Sequence, residues 1–155
     1  VVTSSATAKP QLTGPDYLLV DGYNVIFAWD ELRKMAETNL DAARRRLMDI
    51  LCNYAGYKRC VPILVFDAYK VRGGTREVEK HHNLYVVYTQ EAETADMYIE
   101  RTTHELAKDH RTRVVSSDGA EQIIVMGNGA LRVSARAFAE EVAAVEKEIR
   151  EFLQD

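Results

Sequence analysis

Short apolar runs alternate with amphipathic stretches along most of the chain. Three runs are almost continuously apolar, as expected for strands buried on both faces of a sheet: residues 17–20, 61–66 and 84–88. Residues 113–117, which contain Val114 and Val115, are predicted to form a fourth strand. Between them, apolar residues recur at the spacing of a helix. This alternation of strands and helices predicts an α/β fold, a three-layer α/β/α sandwich around a mostly parallel central sheet.

Capping residues set the predicted ends of the helices. Asn39 is expected to cap the first long helix, and Gly56 is expected to end it. Thr94 is expected to start a helix that runs to about Asp109. Ser134 is expected to cap the last helix, whose apolar face is predicted to pack in the core: Phe138, Val142, Val145, Ile149 and Phe152.

Weaker patterns complete the predicted layout. Residues 68–83 have no clean period and contain two adjacent glycines, which predicts a loop. A short helix is expected through Ile124. A turn at 127–129 then leads to a short fifth strand at 131–133.

Length and composition indicate one folded domain. The chain has 155 residues, of which 46% are hydrophobic and 28% charged, as is ordinary for a globular protein. Residues 1–15 are rich in Ser, Thr, Ala and Pro and are interpreted as a flexible tail or linker, so that the domain spans 16–155. The chain begins with Val, which is compatible with a fragment or an excised domain.

Several classes of protein are disfavoured. No apolar run approaches the roughly 20 residues of a membrane helix, and the start of the chain lacks the features of a secretory signal. Cys52 and Cys60 are expected to be reduced, so we expect a cytoplasmic protein that is not bound to a membrane. The net charge of −4 argues against non-specific wrapping of duplex DNA. It leaves open a nuclease, because a site built from carboxylates is itself acidic.

Aspartates mark the ends of the predicted strands. Asp21, Asp67 and Asp118 each follow an apolar run directly, or nearly so, and Asp96 lies in the first turn of the helix after the third strand. In an open parallel sheet, these positions face the edge formed by the carboxyl ends of the strands. The four carboxylates are therefore expected to converge, although they are far apart in sequence.

Converging carboxylates require a compensating cation or a proton. Mg²⁺ and Mn²⁺ prefer such oxygen ligands, and either ion would activate water and stabilise charge on a phosphodiester. The alternative is structural, since Asp is common at strand ends and helix N-termini for turn and capping reasons. From the pattern alone, both interpretations stay open.

The ordered motifs resemble a known family. Val20-Asp-Gly-Tyr-Asn24 is similar to the opening motif of NYN domains, a branch of the PIN-like nuclease superfamily. The later motifs resemble the bacterial YacP-like subgroup in order and spacing: Phe66-Asp-Ala68, Gly73-Gly74, Glu93-Thr-Ala-Asp96 and Ser116-Ser-Asp118. The resemblance covers about residues 17–153. Each motif is weak alone, but the ordered set is specific.

The resemblance implies a PIN-like fold and an endoribonuclease that depends on Mg²⁺ or Mn²⁺. By position, it implies that Asp21, Asp96 and Asp118 hold the metal, and that Asn24 orients the first of these or a water molecule. Ser117 would add a hydroxyl at the catalytic centre, and Asp67 would be a further member with a less defined role. Gln122 stands where many relatives have another acid, so one metal ion is expected rather than two.

The same resemblance implies a link to translation, with cleavage of mRNA on the ribosome. Some NYN domains of this type follow translation-factor-like GTPases, and the linker-like start of the chain is compatible with an excised C-terminal domain of that kind.

The predicted loop after the second strand is the richest basic stretch. Its cations are expected to contact RNA phosphates, and two tyrosines near acidic positions are expected to stack on bases. These candidates are Lys70, Arg72, Arg76, Lys80, Tyr23 and Tyr69. The alternative is a solvated loop, in which Glu77 and Glu79 offset the positive charge.

Two other functions compete with a nuclease. A non-catalytic module that binds RNA or the ribosome would keep the fold and lose turnover, and Gln122 favours it. A phosphatase or phosphoacceptor domain also uses an Asp at a strand end, but Tyr23 stands where such phosphatases need a second Asp. The sequence also has no Gly-rich fingerprint of a dinucleotide or nucleotide site after the first strand.

Overall fold

The computed structural model describes residues 12–67, 77–116, 124–125 and 127–154. In this part of the chain the strands are β1 Asp16–Asp21, β2 Cys60–Phe66, β3 Glu77–His81, β4 Leu84–Tyr88, β5 Thr112–Ser116, β6 Ile124–Val125 and β7 Leu131–Ser134. The helices are α1 Gly22–Ala28, α2 Asp30–Thr38, α3 Leu40–Lys58, α4 Ala95–Leu106 and α5 Ala135–Gln154.

The strands described form one sheet in the order β3-β4-β2-β1-β5-β7-β6. β1 lies at the centre and pairs in parallel with β2 and with β5. The pairs β2–β4 and β5–β7 are also parallel, whereas β3 and β6 pair with their neighbours in antiparallel fashion. The predicted mixed α/β architecture with a mostly parallel sheet is therefore confirmed.

Alternation along the strands divides the core between the two faces of the sheet. Leu18 and Val20 of β1 pack with α1, α3 and α5 in the larger core cluster. Leu19, between them, packs with Ala95 and Ile99 of α4 on the other face. Helices on both faces bury strands that are apolar throughout, which gives the three layers.

The predicted helix caps are confirmed. The Asn39 side chain accepts a hydrogen bond from the backbone N–H of Ala42 at 3.0 Å, at the start of α3. Thr94 Oγ1 accepts from the N–H of Met97 at 3.1 Å, at the start of α4. Ser134 Oγ accepts from the backbone N–H of α5 at 3.0 Å.

Other predicted boundaries are wrong for identifiable reasons. α3 continues through Gly56 and ends at Lys58, because Arg59 takes the left-handed conformation (φ 57°) that stops the helix. Residues 77–81 of the predicted loop form β3, which pairs with β4. All five side chains of β3 are exposed, so the strand has no buried alternation that a sequence pattern could show.

Two more expectations need correction at the C-terminal side of the sheet. Ile124 lies in strand β6 and pairs with Arg132, where a short helix was expected. Phe152 was expected in the core, but it is 75% exposed, near the end of α5 at Gln154. Phe138, Val142 and Val145 of the same face are buried as predicted.

The chain joins the fold slightly before β1. The N–H of Thr13, within the predicted tail, donates to the carbonyl of Asp109 at 2.9 Å. Cys52 and Cys60 are both free thiols. No helix among the residues described is long and apolar enough to cross a membrane.

Gly22 is required where the chain leaves β1. A Cβ atom at this position would overlap the ring of Phe66, which is itself fully buried. We predict that Gly22→Ala lowers the free energy of unfolding by roughly 1–3 kcal/mol, the typical cost of overpacking. Chemical denaturation measures this loss.

Gly56→Ala provides the matched control. Gly56 is an exposed helical residue, and the nearest atom to an added Cβ is Asn83 Nδ2 at 3.8 Å. This variant should gain about 0.5–1 kcal/mol from helix propensity. Equal stability of the two variants would contradict the steric argument at Gly22.

Candidate metal centre

Asp21 is the last residue of β1, and α1 begins at the next residue. Its position on the central strand places it between the carboxyl ends of β2 and β5. Only 7% of Asp21 is exposed. Because Gly22 has no side chain to overlap the ring of Phe66, the chain can pass directly from β1 into α1. The Asp21 carboxylate therefore stays at the edge of the sheet.

Asn24 holds the Asp21 side chain. Its Nδ2 donates to Asp21 Oδ2 at 2.6 Å across the first turn of α1. The structure therefore brings together two of the predicted site residues, in the relation that the family resemblance implies.

Asp67 connects the second strand to the helix that carries Asp96. It directly follows β2, and its Oδ1 accepts from the backbone N–H of Ala95 at 2.6 Å. Ala95 is the first residue of α4, so this bond satisfies a backbone donor that the helix leaves without an internal partner. Asp67 thereby fixes the turn of helix that presents Asp96, the next residue.

Burial and neighbouring charges act together on Asp21. Burial raises the pKa of Asp21 to about 6, and the negative charges of Asp67 and Asp96 add to the increase, while hydrogen bonds from Asn24 oppose it. Asp67 and Asp96 therefore both lie within electrostatic reach of Asp21. A carboxyl in this setting favours a proton, or a cation in its place.

The remaining predicted members fall outside the described residues: Asp118 and Ser117, together with Gln122. The described strand β5 ends at Ser116, beside β1 at the same edge of the sheet. Within residues 12–67, 77–116 and 127–154, no group of three or more His, Cys, Asp or Glu side chains is arranged to hold a metal ion. The prediction that Asp118 joins Asp21 and Asp96 therefore stays a prediction.

Tyr23 is not available as a base-stacking residue. It is only 5% exposed, and its ring packs against Phe27 and Phe66. Its hydroxyl accepts from Arg44 Nη1 at 3.0 Å. This burial corrects the placement of Tyr23 on the RNA-facing surface and assigns it a structural role beneath the site.

Lys80 is not brought to the carboxylates. It lies on β3 opposite Tyr85, near the amino end of β4, whereas the carboxylates lie at the carboxyl edge. Its Nζ sits 5.3 Å from the centroid of the Tyr85 ring. The other predicted RNA contacts of this stretch lie outside the described residues: Tyr69, Lys70, Arg72 and Arg76.

Sequence reasoning missed one polar pair near the edge. Arg132 Nε of β7 donates to Ser116 Oγ, at the end of β5, at 3.0 Å. In the sequence, Ser116 belongs to the motif Ser116-Ser-Asp118, but nothing there indicates a contact with Arg132. No signal in the sequence singled out Arg132, because its position depends on how β7 pairs with β5.

The fold is that of a PIN-like NYN domain, a nuclease-type fold. Residues 18–155 match the family model described as the YacP-like NYN domain, and the chain belongs to this family.

Known relatives agree with this assignment. The chain is 38% identical over 135 residues to the uncharacterized protein YacP of Bacillus subtilis (strain 168), which covers 86% of this chain and 79% of YacP. The crystal structure of Rae1 (YacP) from Bacillus subtilis is similar with a TM-score of 0.73 and 37% identity, over 90% of this chain and 80% of that one. The crystal structure of its W164L mutant gives a TM-score of 0.72 and 36% identity, over 88% and 80% of the two chains.

The pKa of Asp21 predicts a specific dependence of stability on pH in the metal-free protein. Between the ordinary pKa of 3.8 and the raised value of about 6, the folded state keeps a proton that the unfolded state loses. The contribution of Asp21 to stability is therefore fully present below about pH 4 and is lost as the pH rises through 6. At pH 7.5 in EDTA, Asp21→Asn should be more stable than the parent protein by up to about 3 kcal/mol.

Denaturant titrations at pH 4 and pH 7.5 measure this difference, which should vanish at the lower pH. Asp30→Asn, at an exposed carboxylate of α2, is the control and should follow the profile of the parent protein. If Asp21→Asn and the parent protein have equal free energies of unfolding at pH 7.5, the burial of the Asp21 charge is not unfavourable.

Proposed function

We propose that this protein is a metal-dependent endoribonuclease that hydrolyses RNA phosphodiester bonds. Asp21, Asp96 and Asp118 would hold a Mg²⁺ or Mn²⁺ ion. The observation that carries the proposal is the buried Asp21 carboxyl, whose pKa is raised to about 6 beside Asp67 and Asp96. Membership of the YacP-like NYN family supports the same activity.

The donor chemistry fits a divalent cation. Hard carboxylate oxygens are the preferred protein ligands of Mg²⁺ and Mn²⁺. A cation would offset the repulsion and the desolvation that now raise the pKa of Asp21. When bound, such an ion supplies electrophilic stabilisation of the scissile phosphodiester and a lowered pKa for attacking water.

The residues of the chain have distinct roles in this proposal. Asn24 donates to Asp21 Oδ2 and so fixes the orientation of that carboxylate. Asp67 is occupied by the N–H of Ala95 and acts through α4, by holding Asp96 in place. Ser117 would provide a hydroxyl next to Asp118.

The proposal extends to the setting of the reaction. The family resemblance favours mRNA on the ribosome as substrate and the cytoplasm as location. The basic stretch with Tyr69, Lys70, Arg72, Arg76 and Lys80 stays a predicted RNA contact. The distance of Lys80 from the sheet edge means that this residue would bind RNA away from the cut.

We predict that Asp21→Asn and Asp96→Asn each reduce RNA cleavage at least 100-fold, because each removes a negative oxygen ligand. The assay is gel analysis of a labelled mRNA in Mn²⁺, with and without translating ribosomes. Glu148→Gln removes an exposed carboxylate of α5, which packs on the other face of the sheet, and should cleave normally.

Two outcomes would contradict this function. Mn²⁺-dependent cleavage retained in both Asp variants would exclude the proposed ligands. Binding of RNA or ribosomes by the unaltered protein, with no metal uptake and no cleavage, would instead identify a non-catalytic binding module.

We further predict one Mn²⁺ ion per chain, because Gln122 replaces the acid that a second ion would need. Isothermal titration calorimetry at pH 7.5 should give a stoichiometry near one, and Asp96→Asn should weaken binding by at least tenfold. Gln122→Glu is the informative variant, since it should raise the stoichiometry towards two. A stoichiometry of two in the unaltered protein would show that other ligands complete a second site.

A further inference from the structure

A groove lies beside α4 on the face of the sheet that this helix covers. α4 packs mainly against β1, β2 and β5, and a cavity of about 750 Å³ extends between the helix and the turn that precedes β7. We call it the α4 groove. Its lining includes Asp96, Arg101, His104, Ser116, Asn128 and Arg132.

Arg132 forms part of the floor of the α4 groove. It is paired with Val114 of β5, and Val114 packs beneath α4. Partners in a parallel pair point to the same face of the sheet, so Arg132 also faces the side of α4. Its Nε donates to Ser116 Oγ at 3.0 Å, which directs the half-buried guanidinium towards the carboxyl end of β5.

The α4 groove is continuous with the candidate metal centre. Asp96 lines the groove and is one of the charges that act on Asp21. Ser116, on the floor, is two positions before Asp118 in the sequence. One end of the groove therefore opens at the carboxylates.

We infer that the α4 groove receives a single strand of RNA next to the scissile bond and that Arg132 binds a backbone phosphate there. This inference rests on the proposed function, because it takes the carboxylates as the cutting site. A partly desolvated guanidinium matches phosphate in geometry and charge. Since Arg132 lies on the sheet below the helix, a narrow single strand reaches it, whereas a rigid duplex holds its phosphates on a wide cylinder.

The charges along the groove are mixed, which places the phosphate contact at one point. Glu100 and Glu105 line the groove with Arg101 and Arg132. Arg101 is ion-paired with Glu93 and lies on the exposed wall. Among the described residues that line the groove, Arg132 is the cation on the floor, on the strand that pairs with β5.

The test measures RNA binding separately from cleavage. Fluorescence anisotropy with a single-stranded RNA in EDTA, over a range of salt concentrations, gives both the affinity and its salt dependence. Arg132→Gln should weaken binding about tenfold and reduce the slope of log K against log salt by about 0.7, the value for one phosphate contact on a single strand. Arg132→Lys keeps the charge and should retain most of the slope.

Two further variants keep the test decisive. Arg45→Gln removes an exposed cation of α3, which packs on the other face of the sheet, and should bind as the parent does. If Arg132→Gln does not fold, as judged by circular dichroism, Ser116→Ala, which removes the acceptor that orients Arg132, should still weaken RNA binding more than Arg45→Gln does.

The outcomes separate this inference from the proposed function. Weaker binding by Arg132→Gln than by Arg45→Gln supports the groove, even if the unaltered protein cuts no RNA and the nuclease proposal fails. Equal binding and equal cleavage by these two variants would overturn the groove, even if Asp21→Asn abolishes cleavage. Absence of RNA binding by the unaltered protein would also overturn it.

Discussion

The burial of one carboxylate, Asp21, is the constraint on which the site depends. The central strand β1 delivers this side chain to an edge where desolvation raises its pKa to about 6. An amide donor from Asn24 compensates for only part of that cost. Gly22 allows the chain to pass close to Phe66 directly after Asp21, because any side chain at position 22 would overlap the ring. The fold thus maintains an unfavourable charge that a bound cation would relieve.

A second connection links the carboxyl end of β2 to α4, the helix on the other face of the sheet. Asp67 leaves β2 and accepts the first backbone N–H of α4, so that the strand end and the helix start are joined by one short bond of 2.6 Å. The position of Asp96 therefore depends on β2 as much as on its own helix. Asp21 ends β1, and Asp67, which follows β2, holds the start of the helix that carries Asp96. Because β1 and β2 are neighbours in the sheet, the pairing of these strands sets the separation of Asp21 and Asp96. Carboxylates on loops that the sheet does not fix would move apart, because like charges repel each other.

The predictable parts of this molecule are those in which a residue type has a local physical reason. Buried parallel strands require apolar runs, and helix starts require oxygen acceptors, so β1, β2 and the cap at Thr94 could be read from the sequence. β3 could not, because an edge strand with every side chain exposed has no burial pattern. The sequence predicts Tyr23 at the surface, because the contacts with Phe27 and Phe66 that bury it depend on tertiary packing.

In the inferred groove, Arg132 would let a chain of net charge −4 bind a polyanion. Its guanidinium is fixed by strand register and by Ser116, not by a run of basic residues. A cation held in this way is partly shielded from water and from salt, so it acts on a nearby phosphate more strongly than an exposed lysine does. The acidic edge beside it would lower the affinity for RNA without preventing binding, and a divalent ion at this edge would remove that penalty. Metal binding and RNA binding are therefore expected to be coupled, because Asp96 is a predicted metal ligand and also lines the groove that holds Arg132.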